Sequence, residues 1–242
     1  MRQKVRRGII LTTFMLFPAI FYYFSPYLII MGASEGIISG SMIVFLLLFL
    51  SALFLGRGFC GWFCPLAGMQ EACFIARDKP VNNKFNWIKY IIWFPWIGII
   101  IYMAITAGGL TTIDFLYQTT YGFSINDAYA LFIYLIVIVI TLVLSFAAGK
   151  RAVCHYICWM SPFMILGRKI RNLFRWPALR LRADKEKCID CFKCTKNCPM
   201  SLDVNGMVKD EKMENSECIL CGTCIDSCKQ EVINYTFSKC KK

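Results

Sequence analysis

Fourteen of the 242 residues are cysteines, and eight of these fall in two runs near the C-terminal end. CIDCFKCTKNCP holds Cys188, Cys191, Cys194 and Cys198; CILCGTCIDSCK holds Cys218, Cys221, Cys224 and Cys228. Both have the spacing C-x2-C-x2-C-x3-C, and the second starts 30 residues after the first. An iron–sulfur cube needs four thiolates converging on one centre, and two-residue gaps turn three successive sulfurs of a tight loop inward. Where two such runs coexist, the fourth cysteine of each ligates the other cluster. The spacing therefore predicts one [4Fe-4S] cubane on Cys188, Cys191, Cys194 and Cys228, and a second on Cys218, Cys221, Cys224 and Cys198. A zinc knuckle is the plainer alternative, but zinc sites carry two ligand pairs across a longer gap, not four ligands in eleven residues.

A second set of cysteines sits upstream. GRGFCGWFCPLAG carries Cys60 and Cys64; GKRAVCHYICWMSP carries Cys154 and Cys158. Each pair is C-x3-C, preceded by a glycine and a basic residue. If each lies on a helical turn, the i, i+4 spacing puts both sulfurs on one face. Two such faces meeting offer four thiolates, suited to a third iron–sulfur cluster or to a soft metal such as zinc or cuprous copper. The plain reading is buried thiols packing as small apolar groups; the duplicated spacing favours a shared redox or metal site. His155, the single histidine, is open to two readings: a ligand or donor to a cluster, and an ordinary packed side chain. With one histidine, a membrane haem b held by two imidazoles cannot be built from this chain alone. Cys73 and Cys240 match no set and read as spare thiols.

The elements that must position these cysteines are apolar. A hydrophobic fraction of 57% and a mean hydropathy of +0.54 point to a membrane. Four stretches approach the roughly 20 residues needed to cross the hydrocarbon core: Gly8–Tyr27, Ile37–Leu55, Tyr90–Thr106 and Tyr129–Ala148, none with a charged residue. The first follows a basic MRQKVRR but lacks a small-x-small cleavage site, so it reads as a retained anchor, kinked or ended by Pro18 and Pro26. The expected fold is thus a membrane all-α domain over residues 1–182, four transmembrane helices arranged as two hairpin repeats. A small α+β two-cluster ferredoxin domain of bacterial type follows over residues 183–242.

Charge sets the orientation. The net +12 lies entirely in the first 182 residues, with seventeen basic and five acidic groups; the remainder carries ten of each. Glu35 is the only charge between the first two spans, and Asp114 and Asp127 the only ones between the third and fourth. Every Lys and Arg falls on the other side. The positive-inside rule puts that side, both termini and the cysteines in the cytoplasm, where thiols serve better as cluster ligands than as disulfides. No nucleic-acid motif accompanies the basic excess, no dinucleotide fingerprint or Walker loop occurs, and the spans hold no ionisable residue for a pump or transporter.

On Cys60-Gly61-Trp62-Phe63-Cys64-Pro65, the Cys154–Cys158 pair and the two C-terminal runs, the chain resembles the NapH-like membrane polyferredoxins, quinol-dehydrogenase membrane components. It is also similar to the C-terminal parts of the nitrous-oxide reductase regulatory protein and of the cytochrome-oxidase assembly polyferredoxins. The resemblance covers nearly the whole chain and implies electron transfer between the quinone pool and cluster-bearing partner proteins. Two departures stand out: Trp159 occupies the place of the proline after the second C-x3-C, and Lys229 that of the proline after the second ferredoxin run. Two rival readings remain, a copper-handling assembly factor and a redox-sensing membrane regulator.

Smaller expectations complete the reading. FMILGRKIRNLFRWPALRLR, with Ile165, Leu166, Ile170, Leu173 and Phe174 on one side and Arg168, Lys169, Arg171 and Arg175 on the other, predicts an interfacial amphipathic helix stopped near Pro177, with Trp176 and the arginines at headgroup level. Asn205-Gly206 predicts a hairpin between the cysteine runs and Val232–Phe237 a closing strand. Glu71 is the nearest acidic group to the first membrane motif, a proton acceptor if quinol is the donor and otherwise a solvated interfacial carboxylate.

Overall fold

Prolines and glycines cut the apolar runs into helices. The structure, a computed structural model, describes residues 1–239, so Cys240 lies outside the described residues. Helix α1 (Arg2–Met15) turns by 59° into α2 (Phe17–Ile20) and a 3-10 turn over Phe21–Phe24. Pro18, in the first turn of α2, cannot donate to the preceding turn, so the first stretch is a bent pair rather than one straight span. Then α3 (Pro26–Ser34) starts on Pro26, with the Ser25 hydroxyl accepting from the Leu28 amide. The second stretch begins as strand β1 (Ile37–Ser39) before continuing as α4 (Gly40–Leu55). At ~1.5 Å per residue its 16 residues are shorter than the hydrocarbon core. Next come α5 (Gly58–Trp62), α6 (Pro65–Ala72), α7 (Ile88–Thr106) and β2 (Thr112–Asp114). They lead to α8 (Ala128–Ala148), α9 (Ala152–Tyr156) and α10 (Met160–Phe174).

Among the described residues, two helices, Asn83–Thr106 with its 3-10 lead-in and α8, are long and apolar enough to cross a membrane, and three if the bent pair is one span. Their exposed faces carry Ile91, Phe94, Ile101 and Ile105 on α7, and Phe132, Leu135, Val139 and Val143 on α8. β1 and β2 pair in parallel, Ile37 opposite Thr112, and so join the two acidic connections.

The C-terminal unit opens with β3 (Ala178–Ala183), antiparallel to β4 (Ile233–Ser238); between them lie α11 (Lys193–Lys196), α12 (Val204–Lys209) and α13 (Thr223–Asp226). The closing strand thus forms where its β-branched residues predict. The hairpin at Asn205-Gly206 does not: those residues belong to α12, because the Asp203 carboxylate caps the Gly206 amide and Val204 and Val208 turn into the core.

The helix expected at the lipid interface is also corrected. α10 forms, but Arg168 and Arg171 are buried and close on Glu214 instead of meeting headgroups. Gly167 lets α10 lie against α4, since an added Cβ would stand 2.9 Å from the Phe49 carbonyl. The Trp176 indole donates to Leu53 O at 2.8 Å. Glu71, read as a proton acceptor or a solvated carboxylate, has its side chain enclosed between Arg6 (2.6 Å) and Arg151.

Burial alone would raise the Glu71 carboxyl, but Arg151 and Arg6 reverse it and hold it at about 2. A carboxylate depressed in this way adds stability above its unfolded value of ~4.3 and gives it up as pH falls toward the folded value. Unfolding followed by tryptophan fluorescence should therefore show Tm falling steeply from about pH 5 to about pH 2. Glu71→Gln should start lower at neutral pH, by about 3–5 kcal/mol because two buried guanidiniums lose their counter-ion, and fall less steeply on acidification.

Candidate functional site

The two C-terminal runs fold as near copies. Asp190 and Leu220, then Phe192 and Gly222, then Ser201 and Glu231 hold positive φ at matching places 30 residues apart. Such left-handed residues between right-handed ones turn successive backbone N–H groups inward and make an anion-binding nest. Each loop runs into a four-residue helix, α11 or α13, after which Cys198 and Cys228 swing back toward the other loop. One cavity of about 90 Å³ is lined by Cys188, Cys191 and Cys194 together with Cys228. A smaller one of about 30 Å³ is lined by Cys218, Cys221 and Cys224 together with Cys198. Burial, then the Cys221 and Cys218 sulfurs, pushes the Cys198 thiol up to about 12. Thiols this high ionise against a metal and not in its absence. The three-plus-one lining, the nests and the all-sulfur donor set fit two [4Fe-4S] groups.

The upstream pairs converge as well. Cys60 lies on α5 and Cys154 on α9; Cys64 and Cys158 follow just past each helix, their amides donating back to Phe59 O (3.1 Å) and Val153 O (3.0 Å). All four are buried. Burial, followed by the sulfurs of Cys60, Cys154 and Cys158, drives the Cys64 thiol well above its ordinary value. Met164 Sδ stands 3.4 Å from Cys60 Sγ, and the fully buried Gln70 amide lies 3.6 Å from Cys154 Sγ. Among the described residues no three His, Cys, Asp or Glu side chains close tightly enough to hold one metal ion; the sulfurs of a cubane each bind a different iron and stand further apart. His155 is bonded through Nδ1 to Asn86 (2.8 Å), and burial lowers it to about 3, keeping it neutral. Cys73 is buried apart from both sets.

The two sulfur regions share one core. Cys60 and Cys154 pack with Cys198, Cys221 and Cys224 in a single apolar cluster. Gly61 makes this approach possible, because an added Cβ would overlap the Ile219 carbonyl. The Trp62 indole donates to Leu220 O (3.1 Å) in the same loop, and Gln3 of α1 donates to Cys221 O (3.0 Å). Buried charge frames the contact: Arg57 and Lys89 on Glu217, Arg6 and Arg151 on Glu71. Arg57, Arg151, Gln70 and Met164 are residues that cysteine spacing does not reach. For the two arginines a signal exists, since both membrane motifs read R-x2-C-x3-C.

Comparison with known proteins points to iron–sulfur binding. The family model described as "4Fe-4S binding domain" matches residues 39–82 and 129–177, and the "4Fe-4S dicluster domain" matches residues 180–231. The uncharacterized protein MJ0750 of Methanocaldococcus jannaschii is 28% identical over 86% of this chain and 83% of its own length. YccM of Escherichia coli is 24% identical over 84% of this chain and 57% of its own length. The ferredoxin-type protein NapH of Escherichia coli is 22% identical over 74% of this chain and 62% of its own. The chain thus spans under two thirds of YccM and NapH. No solved structure matches it. The fold and the cysteine sites define a ferredoxin-type [4Fe-4S] protein. Within that class the chain is similar to the NapH-like polyferredoxins.

Two outcomes check the site. Cys198→Ala should abolish the same iron–sulfur EPR signal as Cys218→Ala, and Cys228→Ala the same as Cys188→Ala; loss of matching signals within each run instead would refute the crossed pairing. Gly61→Ala should lift the cluster loop off the membrane motifs, read as at least tenfold faster amide hydrogen exchange around residues 219–221, about 1.4 kcal/mol or more.

Proposed function

We propose that the chain is a membrane-anchored electron-transfer protein. It passes electrons between the quinone pool or a membrane partner and cytoplasmic-face clusters, in the manner of a quinol dehydrogenase subunit. The carrying observation is the shared core of Cys60, Cys154, Cys198, Cys221 and Cys224, which seats the membrane motifs directly against a cluster loop. The name of YccM assigns that relative to electron transport, in line with this reading. Cys188, Cys191, Cys194 and Cys228 would hold one cluster, Cys218, Cys221, Cys224 and Cys198 a second, and Cys60, Cys64, Cys154 and Cys158 a third. When bound, such groups supply one-electron carriage at potentials set by hydrogen bonding and burial.

The residues of the chain do the rest. Trp62, Gly61 and Gln3 fix the distance between the regions, and buried side chains exclude water from the inner sulfurs. Cys191, by contrast, is exposed at the mouth of its cavity and gives a soluble partner access. An apolar cleft of about 970 Å³ between α3, α4, α7 and α10 is lined by Phe45, Trp96, Ile100, Phe163 and Leu166. Phe45 and Trp96 pack in the same cluster as Cys64 and Cys158, so a quinone ring entering from lipid would arrive beside those sulfurs.

Four membrane passages in two hairpins, over residues 1–182, with residues 183–242 as the soluble domain and both termini cytoplasmic, suit this role. In support, Arg2 at the start of α1 pairs with Asp226 of α13 at 2.6 Å, which keeps the N-terminus beside the ferredoxin unit. The joined acidic connections at β1 and β2 suit the opposite face.

Anaerobically reconstituted protein should exchange electrons with a ubiquinone or menaquinone analogue in stopped-flow measurements. Cys60→Ala/Cys154→Ala should slow that exchange at least tenfold while leaving the two ferredoxin-domain signals in place. Exchange with neither analogue would overturn the quinone reading.

A further inference from the structure

Arg57 is fully buried, and only part of its guanidinium is accounted for. Nη1 donates to Glu217 Oε2 at 2.6 Å and to Ser216 O at 3.3 Å. Nε and Nη2 have no hydrogen-bond partner. Donors left unmet in a dry interior are costly, and here they belong to a cation. Glu217 does not neutralise it alone, because the same carboxylate also takes Lys89 at 2.5 Å. Two buried cations therefore share one anion, and the surplus positive charge has to be met from elsewhere.

The helix that begins at Arg57 carries a cysteine. Arg57 stands at the N-terminal boundary of α5, one turn before Cys60. Its counterpart in the second repeat, Arg151, is also fully buried but has spent its donors, Nη1 on Cys60 O at 2.6 Å and Nε and Nη2 on Glu71. The duplication thus yields one arginine that braces the site and one with two donors free.

We infer that Arg57 is the charge partner and N–H donor to an anionic iron–sulfur group held by Cys60, Cys64, Cys154 and Cys158, and that it raises the reduction potential of that centre. The inference rests on the reading of these four cysteines as a third cluster site. A fixed positive charge beside sulfur favours whichever form carries the extra electron, and hydrogen bonds to sulfur act in the same direction. Glu217 opposes this, so the pair sets the potential between them.

The test uses the full chain in detergent, reconstituted anaerobically, with iron and sulfide counted and each centre followed by EPR-monitored redox titration. The Cys60→Ala/Cys154→Ala variant assigns the third signal. Arg57→Met should lower the potential of that centre by at least tenfold in the one-electron equilibrium, about 59 mV, with smaller changes at the two ferredoxin-domain centres. Arg57→Lys should fall between the two. Glu217→Gln, which leaves Arg57 in place, should move the third centre the opposite way. An Arg57→Met protein that keeps the third centre at the wild-type potential overturns the inference. If Arg57→Met loses every centre, Glu217→Gln decides: a raised potential supports the inference, and an unchanged or lowered one overturns it. Wild-type iron and sulfide sufficient for two centres only would instead remove the third-site reading, a failure visible before any variant is made.

Discussion

Buried positive charge is the constraint on which the packing of this protein depends. Seven basic side chains close on three carboxylates: Arg6 and Arg151 on Glu71, Arg57 and Lys89 on Glu217, and Arg168, Arg171 and Arg180 on Glu214. Each group ties an apolar helical region to the cysteine-bearing unit or to the motif beneath it. Ion pairs taken out of water add little by themselves, because desolvation offsets the attraction. What they impose is specificity, since a displaced partner leaves a bare charge in the interior. Around Glu71, Glu217 and Glu214 the buried cations outnumber the carboxylates.

Duplication explains how so short a chain sets this up twice. In each half a long apolar helix ends at a glycine with positive φ, Gly56 or Gly149, and an arginine then precedes a five-residue helix bearing the first cysteine. The glycine lets the chain break direction where a side chain would strain it or clash. An added Cβ at Gly149 would overlap the Lys79 carbonyl. The C-terminal unit is duplicated by the same logic, with left-handed residues at equal offsets in both loops. Two independent repeats, one apolar and one sulfur-bearing, meet at Gly61.

The meeting also divides the sulfur sites by environment. Cys60, Cys64, Cys154 and Cys158 lie in the interior, Cys221 and Cys224 behind them, and Cys191 at the surface. Exposure thus rises from the upstream cysteines to Cys191, and potentials respond to solvent exposure as well as to charge.

By itself, the amino-acid sequence determined what depends on local spacing. The two cysteine runs are legible because a three-residue period sets which sulfurs turn inward within one loop. The apolar stretches at Tyr90–Thr106 and Tyr129–Ala148 are legible because neither carries a charge, Pro95 leaving the first helical, and the β4 segment because its side chains alternate. Tertiary structure alone decided what depends on partners distant in the chain. The bend after Met15 was legible at Pro18, but the shortening of α4 follows from the β1–β2 pairing, which no window over the stretch reveals. Asn205-Gly206 has the local signature of a turn and is helical because Asp203 caps it. Arg168, Arg171 and Glu71 look solvated in sequence, since a charge is read as exposed unless its counter-ion is known. Those counter-ions lie tens of residues away, and only folding brings them within hydrogen-bonding distance.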